Sequence, residues 1–158
     1  MSESRLKRMF ARGGKTPPPE TVEEFVEFLR SHGSVEYTKV IVAHPDDTVA
    51  EAHKLFQTHD LHHLPIVSGE EVVGIVSSTD LLTFFSTSSM LDPGEATLEE
   101  IMTPGPQVIT KGRPMRELVE ILAHSPFRSL PVLAEDGELW AIVTTRDLVR
   151  FLEINYRE

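Results

Sequence analysis

Gly74-Ile75-Val76-Ser77-Ser78-Thr79-Asp80-Leu81-Leu82 decides how this chain is read. An apolar run ends in hydroxyls and a carboxylate, and a new apolar run begins at once. That order reads as a strand passing directly into a helix, with Ser77, Thr79 and Asp80 at the junction. Trp140-Ala141-Ile142-Val143-Thr144-Thr145-Arg146-Asp147-Leu148-Val149 is a near-copy. Each hinge alone is explained as well by helix N-capping, which uses the same residue types, as by a binding site.

Upstream of the first hinge, Val40-Ile41-Val42 reads as a short strand and His44-Pro45-Asp46-Asp47 as a turn. Thr48 caps a helix carrying Val49, Ala52, Leu55 and Phe56. Leu64-Pro65-Ile66-Val67 is a second strand, Gly69 to Glu71 a hairpin turn, and Val72 to Val76 the third strand. Then the unit recurs. Gln107-Val108-Ile109 is its first strand, and Met115, Leu118, Val119 and Leu122 stripe its helix. Leu130-Pro131-Val132-Leu133 and Leu139 to Val143 are the other strands, joined by Glu135-Asp136-Gly137. Pro131 follows Pro65 by 66 positions and Met115 follows Val49 by 66; Asp147 follows Asp80 by 67, the extra residue falling in the hairpin turn. So constant a register marks an internal duplication. Each strand-helix-strand-strand-helix unit is too small to bury a sizeable core alone. The expected architecture is α+β: two tandem βαββα units packed sheet to sheet about a pseudo-two-fold axis.

The flanks complete the division. Residues 1–20 form a basic tail, expected to be flexible, running through Gly13-Gly14 to Thr16-Pro17-Pro18-Pro19. Its Leu6, Met9 and Phe10 suit a short helix meeting a partner or an anionic surface, if the tail has a role. Residues 21–34 read as an N-terminal helix. Thr21-Val22-Glu23-Glu24 has a capping-box pattern, Val22, Phe25, Val26, Phe28 and Leu29 stripe one face, and His32-Gly33 ends the helix. The stripe is expected to dock on the core, with a partner or dimer surface as the alternative. The first repeat spans 35–86, a linker and short helix span 87–100, and the second repeat spans 101–156. Thr97-Leu98-Glu99-Glu100 repeats the capping pattern.

The chain of 158 residues has no Cys, which excludes disulfides, thiol nucleophiles and Cys-ligated metals. Its net charge is −10. Residues 1–15 carry five basic side chains against Glu3, or +4, so the remainder carries −14. A body so acidic repels phosphate backbones, and no duplex nucleic acid is expected as a partner. No apolar run approaches the roughly 20 residues of a membrane span. The N-terminus lacks an apolar signal core, and the cytoplasm is the expected compartment.

Two such units leave two symmetry-related clefts, each holding a hinge. A carboxylate accepts hydrogen bonds from both ribose hydroxyls, and a hydroxyl at a helix start suits phosphate. Asp80 and Asp147 therefore suit ribose, while Ser77, Thr79 and Thr144 suit ribose or phosphate; plain helix caps remain the alternative. His62-His63 precedes one Leu-Pro strand and Arg128-Ser129 the other, which suggests anion contact in both copies. Lys111 and Arg113 precede the helix of the second copy, where the first has Pro45 and Asp47, so the clefts differ in charge. His53, His59, His62 and His63 with Asp60 fit no standard zinc spacing, and no metal site or metal cofactor is expected. No nucleophile elbow, phosphate loop or HExxH stands in the sequence, and catalysis is not expected.

These residues resemble a tandem pair of cystathionine-beta-synthase (CBS) domains. The duplicated unit, the Leu-Pro-Ile-Val and Leu-Pro-Val-Leu strands, the Gly74–Asp80 hinge and Glu100-Ile101-Met102-Thr103-Pro104 carry the likeness over about residues 35–154. Phe25 to His32 also resembles the opening of the gamma subunit of AMP-activated kinase. The resemblance implies a regulatory Bateman module that binds adenosine nucleotides (AMP, ADP or ATP) in its clefts, pairs into a homodimer and signals to a regulated protein. Carried over, one cleft joins Ser77, Thr79 and Asp80 to Arg113, Arg128 and Ser129, whose arginines suit a polyphosphate. The other joins Thr144, Arg146 and Asp147 to Asp47, His62 and His63, and adenine lies near Val40 and Pro106. Ala141 stands where the family has its hinge glycine. The competing readings are an interaction protein with empty clefts, acting through dimerisation and the N-terminal helix, and an enzyme with a metal at the His cluster.

Overall fold

A computed structural model describes residues 17–32, 40–87 and 90–157. The basic stretch of the tail, Gly33 and the start of the first repeat at 35–39 lie outside the described residues. The described elements are helices α1 (Val22–Ser31) and α2 (Val49–His59), strands β1 (His63–Ser68) and β2 (Glu71–Ser77), and helix α3 (Ser78–Thr87). Helix α4 (Leu98–Ile101) and strands β3 (Thr103–Pro104) and β4 (Ile109–Thr110) follow. Then come α5 (Met115–His124), β5 (Ser129–Leu133), β6 (Leu139–Thr144) and α6 (Thr145–Arg157). They build two three-stranded sheets, β1-β2-β3 and β4-β5-β6. The mixed α+β architecture and pseudo-two-fold pairing expected from the duplication are present.

The repeats match in detail. Both hairpins are antiparallel, and each carries an irregularity at the same place, Ile66/Val67 and Val132/Leu133. Val132 pairs in parallel with Ile109 of β4. At the corresponding place, 66 positions earlier, Ile66 pairs in parallel with Ala43. The strand expected at Val40–Val42 is thus corrected to a single bridge at Ala43. Two backbone bonds, Ala43 N to Pro65 O (3.1 Å) and Val67 N to Ala43 O (2.8 Å), hold it there, with Ala43 buried in the core of the first repeat.

The segment before each repeat docks on the other repeat. Helix α1 places Val22, Phe25, Val26 and Leu29 at i, i+3, i+4 and i+7, and all are at most 1% exposed in the core of the second repeat. Phe151 meets Phe25 and Phe28 edge-on at 5.4 and 5.1 Å. Fully burying each such side chain contributes about 1.5–3 kcal/mol, so α1 belongs to this core. Its free N–H groups are used as well: Val22 N donates to Arg113 O and Glu23 N to Lys111 O. Helix α4 repeats these bonds on the first repeat, Leu98 N to Asp47 O and Glu99 N to Pro45 O, and buries Leu98 there, with Ala96 just ahead of the helix.

Two of the three helix caps read in the sequence close as capping boxes. Thr48 and Glu51 form a reciprocal box, and Glu100 takes both the N–H and the hydroxyl of Thr97. At Thr21 the hydroxyl accepts from Glu24 N, while the Glu24 carboxylate reaches past it to Glu20 N at 2.8 Å. Among the described residues no helix is long and apolar enough to cross a membrane.

Candidate functional site

Strand β2 runs straight into α3, and the junction is closed by its own side chains. Asp80 Oδ2 accepts from Ser77 N at 2.6 Å and from Ser77 Oγ at 2.8 Å, and Asp80 N donates back to Ser77 Oγ at 3.1 Å. The second hinge does the same. Asp147 Oδ2 accepts from Thr144 N at 2.7 Å and Thr144 Oγ1 at 3.0 Å, and Asp147 N donates to Thr144 Oγ1 at 3.3 Å. The helix-cap reading is therefore correct for both hinges. It does not exclude a site, because the cap occupies one carboxylate oxygen. Asp80 is half-buried, and its Oδ1 takes no donor among the described residues.

That hinge opens on a cavity of about 290 Å³ between the repeats. One part of its wall is polar: Ser77, Thr79, Asp80 and His63 from the first repeat, Arg128 and Ser129 from the second. Another part is apolar: Ile75, Pro106, Ile121, Leu122, Phe127 and Leu130. A cavity near the lower end of small-molecule sites, mainly apolar with a few convergent polar groups, is the usual form of a binding pocket. Seven of the residues singled out in the sequence meet here: Ser77, Thr79, Asp80, His63, Pro106, Arg128 and Ser129.

His63 is a correction, since it was expected opposite Asp147. It pairs with Ser77 across the β1-β2 ladder, and that register sets it beside its own hinge. Burial, with His62 beside it, holds the His63 imidazole below its ordinary value, and Asp80 pulls the other way. Its Nδ1 is buried with no hydrogen-bond partner among the described residues.

Val40, His62, Arg113, Thr144, Arg146 and Asp147 do not line this cavity. Arg113 is turned away: its Nε donates to Glu117 Oε2 at 2.7 Å, one turn along α5, and that bond holds the guanidinium above its ordinary value. Thr144 and Asp147 belong to the second hinge. By register the wall of that cleft corresponding to Thr103–Gln107 is residues 37–41, of which 37–39 lie outside the described residues. Asp147 is 7% exposed. Among the described residues no group of three or more His, Asp or Glu side chains could hold a metal ion, and His53 packs on Phe85 at 5.0 Å.

Phe127, Ile121, Gln107 and Ser125 line the cavity without having been singled out. Phe127 carried a signal, being a large aromatic between Pro126 and Arg128 just ahead of a Leu-Pro strand. It is 43% exposed although it sits at the cavity.

The CBS domain family model matches residues 33–87 and 98–154. The chain belongs to the CBS domain family. A curated relative of this CBS pair, an uncharacterized 17.7 kDa protein of Acidianus ambivalens, is 33% identical over 73% of this chain and 68% of its own length. The inosine-5'-monophosphate dehydrogenase of Korarchaeum cryptofilum is also 33% identical, over 81% of this chain but 26% of its own length. Among solved structures, CBSX2 in complex with AMP is 26% identical with a TM-score of 0.67, covering 86% of this chain and 98% of that one. The CBS domain pair of protein MJ0100, in complex with 5'-methylthioadenosine and S-adenosyl-L-methionine, is 27% identical with a TM-score of 0.63, covering 72% and 91%.

Proposed function

We propose that this CBS pair is a regulatory module that binds an adenosine nucleotide in the Asp80 cavity and passes its occupancy to a partner protein. The observation that carries this reading is the form of the cavity. A hinge carboxylate with one oxygen left over shares the cavity wall with an arginine, a histidine and an apolar face. The spare oxygen suits ribose hydroxyls, Arg128 suits phosphate, and Ile75, Pro106 and Phe127 suit the flat base. Relatives of the same fold hold AMP or adenosyl compounds, which agrees with this chemistry.

In this reading the chain catalyses no reaction. Its two hinge carboxylates are each tied into a cap in different repeats and make no acid–base pair. The module pairs as a homodimer through α3 and α6. Leu82 and Val149, 67 positions apart at equivalent places on those helices, are 68% and 61% exposed, and Phe85 is 45% exposed. The stripe of α1 does not serve a partner, because the second repeat has already buried it.

Calorimetric titration of the full chain with AMP, and of its Asp80→Ala variant, tests the reading. Binding tighter than millimolar that the variant loses is the expected result. No binding to either protein would leave the module an interaction protein with an empty cleft.

A further inference from the structure

Among the described residues, the cavity wall holds one cationic and one anionic side chain, Arg128 and Asp80. Two other cations of the second repeat, Lys111 and Arg113, are engaged elsewhere. Lys111 Nζ lies 2.8 Å from Glu23 Oε1 on α1 and 5.4 Å from the Trp140 ring centroid. Arg113 is held by Glu117. Neither lines the cavity, and around it lies a chain of net charge −10.

We infer that the Asp80 cavity selects adenosyl ligands carrying no more than one phosphate over nucleoside di- and triphosphates. This deepens the proposed nucleotide-binding reading and rests on it. A single phosphate is matched by the guanidinium of Arg128, whose side chain is exposed and has no ion-pair partner among the described residues. A second or third phosphate finds no further cation in the wall among the described residues. It stays unpaired where it is buried and meets a chain of net negative charge where it is not. A ligand without phosphate keeps the ribose and base contacts and loses only the contact with Arg128. Selection of a single phosphate departs from the polyphosphate expected from the two arginines, Arg113 and Arg128, because Arg113 is engaged elsewhere. Glu117, in the first turn of α5, sits four residues after Arg113 and holds its Nε at 2.7 Å.

The test is calorimetric titration of the full chain with adenosine, AMP, ADP and ATP, without divalent cations. AMP should bind at least about tenfold more tightly than ATP, with ADP between them and adenosine within about tenfold of AMP. Arg128→Gln should lower AMP to the affinity of adenosine and leave adenosine unchanged; the exposed side chain is outside both cores, so folding is not at stake. Gln107→Arg adds a second cation at an exposed lining position and should raise ATP relative to AMP by about tenfold. ATP binding as tightly as AMP to the unaltered chain overturns the charge selection while nucleotide binding stands. Failure of all four compounds overturns both.

Discussion

The two hinges hold their carboxylates with the same three hydrogen bonds, yet they meet different neighbours. In the first repeat the four-residue helix α4 ends early, and the chain returns as β3 to pair with β2, Gly74 opposite Pro104. In the second, the ten-residue helix α1 continues and covers β6 with side chains. Equivalent carbonyls show the exchange. Val73 O accepts the backbone N–H of Gly105 at 3.1 Å, while Trp140 O, 67 positions on, accepts Arg30 Nη2 at 3.4 Å. The same Arg30 lies 4.4 Å from the Trp140 ring centroid. A strand against β2 brings Met102 so close that a Cβ at Gly74 would overlap its Sδ and lie 2.9 Å from its Cγ. Against β6 there is room for a methyl group, and Ala141 stands there, buried at 3% exposure. The duplication has kept what the hydrogen bonds of the hinge require and has diverged where the docked segment sets the space.

The widest contrast is between the docked helices. Phe25→Ala should cost about 3–5 kcal/mol, because it empties a fully buried site shared with Phe151. Denaturant unfolding measures this, and a loss below about 1 kcal/mol would show that α1 is not part of the second core. Next comes the hinge glycine. Gly74→Ala should destabilise by about 1–3 kcal/mol through overpacking on Met102, whereas Ala141→Gly should cost only about 0.5–1 kcal/mol. Adding Met102→Ala to Gly74→Ala should restore part of the loss, and strict additivity of the two changes would remove Met102 as the cause.

The caps themselves should be matched. Ser77→Ala and Thr144→Ala each remove a hydroxyl from the same three-bond arrangement and should each cost about 0.5–2 kcal/mol. A difference between them outside that range would mean that the hinges are not equivalent supports. The smallest effect is on pH dependence. His63 is held below its ordinary value, so the folded chain takes up its proton less readily than the unfolded one. Its contribution is complete above the unfolded value of about 6.5 and is lost as pH falls from there through the lower folded value. Ser129 occupies the equivalent position in the second repeat and does not titrate. His63→Gln should therefore flatten stability against pH in that window, and an unchanged slope would assign the effect to another histidine.

Much of this was readable from residue order. The 66-residue register placed both hairpins, both long repeat helices and both hinges, because strand and helix periodicities depend on neighbours along the chain. The stretch that reads as a strand at Val40–Val42 shrank to one bridge at Ala43, since propensity alone does not supply a pairing partner. At the site, the hinge residues and Arg128 were legible because they repeat. Arg113 was misplaced because its capture by Glu117 is a choice among rotamers that spacing does not show. His63 was assigned to the wrong cleft because only the ladder register fixes which side of the strand it faces.

By itself, then, the sequence determined the duplicated α+β units and the capped strand-to-helix hinges, which depend on local periodicity and short-range hydrogen bonds. The tertiary structure alone decided three things: that α1 completes the second repeat and α4 the first, that Gly74 answers to Met102, and that Arg128 and not Arg113 lines the Asp80 cavity. Those depend on which surfaces meet between segments far apart in the chain, where packing space and competition for ion-pair partners are settled in three dimensions.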